Sequence, residues 1–96
     1  MTLTNIQAIV KFKANAMHET GVVKGILRYL ENEEKNSSKR VRRLCINLSE
    51  FGGFTEEHFR EHYRRASAGT RWGSVELEIA KVPQGPELEI TRIDFE

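Results

Sequence analysis

At 96 residues the chain has room for one small domain and not for two. Hydrophobic residues at 39% and charged residues at 30% exclude a disordered or membrane-embedded class, while a net charge of +1 argues neither for nor against nucleic acid. The single cysteine, Cys45, excludes an internal disulfide and any multi-cysteine zinc site, and a reducing cytoplasm is the default compartment.

Residues 5–13, NIQAIVKFK, alternate Ile6, Ala8, Val10 and Phe12 with Gln7, Ile9, Lys11 and Lys13, and period two predicts a strand. The ANA that follows superficially resembles a signal-peptidase site. The segment before it lacks a basic start and carries Lys11 and Lys13 where an apolar stretch should end, so no leader is expected. No run approaches the roughly 20 apolar residues of a membrane span.

Residues 19–35 predict a helix, because Val22, Val23, Ile26, Leu27 and Leu30 recur at spacings of three and four. Thr20 could cap it if it begins late. Asn36, Ser37 and Ser38 are turn formers. RVRRLCINL then predicts a strand with Leu44, Ile46 and Leu48 on one face and Arg43, Cys45 and Asn47 on the other. The paired glycines of EFGGF mark a turn. A second helix starts at Thr55 as N-cap, with Glu56 and Glu57 in its first turn. Phe54 and Phe59 stand at the hydrophobic-staple spacing, and Gly69 is placed for a left-handed C-terminal cap.

SVELEIAKV alternates Val75, Leu77 and Ile79 with Glu76 and Glu78, PQGP turns the chain, and ELEITRIDFE is the last strand. Its apolar phase shifts between Ile90 and Ile93, which a bulge near Thr91 would reconcile. The predicted fold class is α+β, with two helices packed on one face of a small mixed sheet of three to four strands. The other face would carry Arg43, Cys45, Asn47, Glu76, Glu78 and Glu89, with Arg43 opposite a glutamate. So small a core would gain from a partner or a second copy, which makes a homodimer possible.

The residues alone offer little chemistry. Strand alternation would separate Arg40 and Arg42 from Arg43 in the basic run KRVRR, and no aromatic platform interleaves them, so a solvated strand entry is favoured over phosphate contact. His58 and His62, four apart on the second helix, could share a zinc ion, but no third ligand is evident and an ordinary helix surface is the simpler reading. Cys45 has no histidine to activate it. No phosphate loop and no paired acid and base are present, so the chain does not read as an enzyme. His18 and Glu19 are donors that suit nickel, copper or zinc only if their surroundings agree.

Those surroundings follow a pattern. MHETGVVKGIL, from Met17, resembles the opening of the hydrogenase nickel-incorporation proteins, the HypA/HybF family, which begin Met-His-Glu and run into a first helix. INLSEFGGFTEEHF is similar to that family's strand, turn and second-helix start. SAGTRWGSVELEIAKVP and GPELEITRIDFE are similar to its last two strands, so the resemblance covers residues 17–96. It implies an accessory protein of nickel-enzyme maturation, with the maturation GTPase and the hydrogenase large subunit as partners. It implies nickel at His18 and Glu19, with Met17 and Glu50 as partner or supporting positions; Glu56 and Glu57 match an additional acid only loosely.

Two departures qualify these expectations. The family carries two Cys-x-x-Cys pairs in a zinc-binding insertion between its last two strands, whereas VPQGP joins them here, so no structural zinc is expected. Met17 also stands behind an added segment, residues 1–16. The family's nickel site uses the free terminal amine, adjacent backbone nitrogen and the histidine ring. An internal Met17 offers an amide, which must lose a proton before binding a metal. The expected domain is therefore 1–96, HypA-like with an added N-terminal strand. The alternative function is a metal-free interaction adaptor that retains the fold, with neither nucleic acid nor membrane as partner.

Overall fold

Val23, Ile26 and Leu30 are fully buried, and their spacing sets one face of the first helix against the sheet. The computed structural model describes residues 19–96, with side chains from residue 21 onward. The expected strand over 5–13 and the positions Met17 and His18 lie outside the described residues. The first helix, α1, runs Glu19–Ser37. It begins before Thr20, which therefore lies in its first turn and is not its cap. It also absorbs Asn36 and Ser37, expected as turn formers. The Ser38 N–H reaches the Glu34 carbonyl at 2.9 Å, and Ser38 takes the left-handed conformation at φ 58°. One serine thus makes the reversal that three polar residues suggested.

The strand that follows, β1, spans Val41–Ser49 and is central. The side chain of Glu34 holds the entry to it, accepting from the Val41 N–H at 2.7 Å and from the Arg71 guanidinium. The second helix, α2, spans Glu56–Ser67. Thr55 caps it as expected, its hydroxyl accepting from the His58 N–H at 3.1 Å. Phe54 and Phe59 are both buried, and Gly69 adopts φ 76° just beyond the last turn. A short 3-10 helix over Arg71–Ser74 was not anticipated; Thr70 caps it, and the Tyr63 hydroxyl donates to the Trp72 carbonyl at 2.8 Å.

The strand β2, Glu76–Val82, pairs parallel with β1, and β3, Leu88–Phe95, pairs antiparallel on the other side. The described sheet is therefore mixed, in the order β2-β1-β3, with both helices sharing one core beside it. The expected bulge is at Thr91: Cys45 pairs with Arg92 and Ile46 with Ile90, leaving Thr91 over. A second irregularity falls at Arg42, since Val41 pairs with Phe95 but Arg43 with Asp94. Val41 and Leu44 are consequently both core residues. The strict alternation expected to set Arg42 on the face opposite Arg43 is broken there. Leu77 and Ile79 face the core as expected but stay only partly buried, because β2 is at the sheet margin.

Candidate functional site

Chain direction gathers several termini at one end of the molecule. The α1 helix enters β1 through residues 38–40, so it runs back against the strand. Its 19 residues span about 28 Å at 1.5 Å each, close to the roughly 30 Å of a nine-residue strand. The start of α1 thus lies at the Ser49 end of β1, where the turn carrying Glu50, the start of α2 and the exit of β2 also lie. Ligands of sheets with parallel strands commonly sit beyond the strands' carboxyl ends, and this is that end.

Residues 83–87 cross over the end of β1, because β2 and β3 flank it on opposite sides. The crossing is stitched to the Glu50 turn. The Glu50 N–H donates to the Val82 carbonyl at 2.8 Å, and the Ser49 N–H donates to the Glu87 carbonyl at 3.2 Å. The Gly53 N–H donates to Glu87 Oε2 at 3.2 Å. A Cβ on Gly52 would lie 3.0 Å from Glu87 Cγ, so any larger residue there would press Glu87 aside by a few tenths of an ångström. The second oxygen of Glu87, Oε1, is buried without a hydrogen-bond partner among the described residues. Glu50 is held by its backbone while its carboxylate faces solvent, and Phe51 beside it is 85% exposed. The resemblance pointed to Glu50 as a supporting position, and sequence reasoning gave no notice to Phe51 or Glu87. Phe51 belongs to no periodic face, and the role of Glu87 depends on a crossing that spacing does not reveal.

Of the other proposed positions, Glu19 is the first residue of α1, while Met17 and His18 lie just before it, outside the described residues. His58 is exposed and His62 partly buried on α2. Among the described residues no group of three or more His, Cys, Asp or Glu side chains is placed to hold a metal ion, so the zinc reading of His58 and His62 gains no third ligand there.

The face of the sheet away from the helices carries a charge network. Arg43 Nε lies 3.3 Å from Glu76 and its Nη1 3.1 Å from Asp94, which gives the expected cross-strand pairing. Arg92 grips the same Asp94 through Nε at 2.9 Å and Nη2 at 3.1 Å. Carboxylates therefore already occupy Arg43 of the basic run. Cys45 sits next in the row, its thiol donating to Glu78 at 3.3 Å. Burial, reinforced by the Glu78 carboxylate, pushes that thiol up to about 11, against the opposing pull of Arg92. At pH 8 only about one thiol in a thousand is then ionised. Alkylation of the folded protein at pH 8 should be at least about a hundredfold slower than that of a free thiol, and denaturant should abolish the difference. Fast labelling of the folded protein would show that Cys45 is not enclosed as described.

The family model for hydrogenase and urease nickel incorporation, the metallochaperone HypA, matches residues 17–93. The chain belongs to the HypA family. The solution structure of the Ni metallochaperone HypA from Helicobacter pylori resembles it with a TM-score of 0.70 at 13% identity, over 82% of this chain and 97% of that one, a likeness of fold. No curated protein matches in sequence. As a HypA-family member the chain is an accessory protein of nickel-enzyme maturation, in a family of metallochaperones. Among the described residues no helix is long and apolar enough to cross a membrane.

Proposed function

We propose that this protein works in the cytoplasm as a non-catalytic nickel carrier for a hydrogenase precursor, holding the ion through His18 and Glu19 and docking with a maturation GTPase and the hydrogenase large subunit. The observation that carries this reading is that the family match opens at Met17 itself, so the Met-His-Glu stretch is part of the matched region. The physical setting agrees. The positive end of a helix dipole disfavours a cation by about 0.3–1 kcal/mol, so a metal bound just before α1 needs anionic help. A carboxylate at Glu19 supplies it, and Glu50 stands at the same end of the fold. An imidazole with so few further donors holds nickel weakly enough to release it, which is what a carrier requires.

The chain would fold as one domain without structural zinc, since Cys45 is enclosed beside Glu78 and offers no tetrahedral set. The rival reading is a metal-free adaptor on the same fold, favoured by Phe51 as an exposed contact point beside Glu50. Nickel content of the hydrogenase in cells that lack the protein, complemented with native or His18→Ala protein, separates the two. We expect His18→Ala to restore less than about a tenth of the nickel while melting at the native temperature. Full restoration by His18→Ala would leave only the adaptor.

A further inference from the structure

The helix α2 and the strand β2 flank a groove along one side of the molecule. Two cavities mark it. The first, of about 640 Å³, is lined by Tyr63, Val75 and Leu77 and by the arginines Arg60, Arg64 and Arg65, with no acid among them. The second, of about 490 Å³, lies between the start of α2, at Glu56 and Glu57, and Lys81 near the end of β2. Arg60 lines both, so the groove follows β2 for most of its length.

Among the described residues β2 has a strand neighbour on one side, β1. The strand is regular: its register with β1 runs from Glu76 to Val82 without a shift, and no proline falls within it. The Val82 carbonyl accepts from the Glu50 N–H, so it points towards β1. Backbone direction alternates along a strand, so Leu77, Ile79 and Lys81 turn their N–H and C=O groups to the outer edge. Leu77 and Ile79 pack against the core while only partly buried. A regular edge of this kind beside a cleft is the setting in which a sheet takes up an extended segment.

We propose that this groove docks an extended segment of a partner protein, added as a strand to the outer edge of β2, with an apolar side chain in the Tyr63 cavity and a carboxylate beside Arg60 and Arg64. Charge selects this occupant. Arg60 pairs with Glu56, and Arg64 and Arg65 both pair with Glu61, while the three arginine side chains are 46%, 71% and 70% exposed. Pairs this exposed hold an arginine weakly, so the guanidinium groups can turn to an incoming acid. A second copy of the chain is disfavoured, because a two-fold axis through the edge would set Arg60 and Arg64 of one copy against those of the other. A small anion filling the first cavity would approach Ser67 and Ala68, at the carbonyl end of α2. The carboxylate of an extended segment sits instead at Arg60, nearly two turns before that end. Such docking serves a carrier and an adaptor alike and rests on neither.

Nuclear magnetic resonance of the isotope-labelled 96-residue protein tests the proposal in two steps. In the protein alone, the amides of Leu77, Ile79 and Lys81 should exchange at least about tenfold faster than those of Glu78 and Ala80, which face β1. Equal protection would show that the edge is already covered and would overturn the proposal. Protection that rises with protein concentration would also overturn it, by putting a second copy on the edge. The probe for the second step is a ten-residue synthetic peptide in which threonine alternates with valine and aspartate in turn. It should shift the amides of Glu76–Val82 and of residues 60–68 saturably, with a Kd below about 1 mM. The same peptide with lysine in place of aspartate should bind at least about tenfold more weakly, and Arg60→Glu combined with Arg64→Glu should reverse that preference. Equal binding of the two peptides, no saturable shift, or shifts confined to Leu88–Phe95 would contradict the assignment.

Discussion

Phe59→Ala is expected to lower the free energy of unfolding by about 4 kcal/mol. Phe59 is 1% exposed and joins α2 to the sheet through the same core that holds Leu44, Ile46 and Leu48. Its ring lies 6.3 Å from that of Tyr63, centroid to centroid, so truncation removes an aromatic pair as well as buried area. Fixed backbone on both sides limits collapse into the space left behind. A domain of this size has about 5–15 kcal/mol in total, so the loss should be plain in a urea titration. Tyr63→Phe is the milder control. Burial raises the Tyr63 hydroxyl to about 12, and its bond to the Trp72 carbonyl contributes about 1 kcal/mol. A loss below about 1.5 kcal/mol for Phe59→Ala would mean that α2 does not pack as described.

Asp94→Ala should cost about 2 kcal/mol. The Asp94 carboxylate is enclosed, and two guanidinium groups converge on it, Arg43 from β1 and Arg92 from its own strand. Removing one partner of a fully buried pair costs about 3–5 kcal/mol. Here the arginine side chains are 26% and 39% exposed, so water and the neighbouring glutamates, Glu76 and Glu78, recover part of the loss. Asp94→Asn keeps the shape and one acceptor oxygen and should fall between the native protein and alanine. Comparing the three at low and at 1 M salt separates this enclosed contact from the exposed helix pairs. The Asp94 effect should persist at high salt, while any contribution of Arg60 with Glu56 or Arg64 with Glu61 should fade. An Asp94→Ala protein as stable as the native one would show that the network is ornamental.

Several features were legible because a local rule decided them. Thr55 before two glutamates specifies a helix start whatever the rest of the fold does. The phase change between Ile90 and Ile93 can be reconciled only by an extra residue, and Thr91 is that residue. Arg42 escaped notice because Val41 and Leu44, three apart, resemble a run with no period once two arginines separate them. Strand order escaped for a different reason. A short connection between β2 and β3 suggests neighbours, yet residues 83–87 bridge the end of β1, held there by Glu87. At the proposed site, Glu50 rests on the resemblance alone, and no residue pattern by itself picks out His18. The site as proposed would depend on one imidazole, its flanking backbone nitrogen and the end of a helix, which leave almost no periodic trace.

The central claim is that Met17, His18 and Glu19 form a nickel-binding unit, and calorimetric nickel titration of two forms at one pH tests it most directly. One form is the 96-residue chain and the other begins at Met17. The second brings an amine, adjacent backbone nitrogen and the imidazole into one chelate, and an amine is a better donor than an unionised amide. We expect it to bind nickel at least about tenfold more tightly, about 1.4 kcal/mol, with a square-planar absorbance signature, and His18→Ala to abolish the gain. Equal affinities in the two forms, both unaffected by His18→Ala, would contradict the claim.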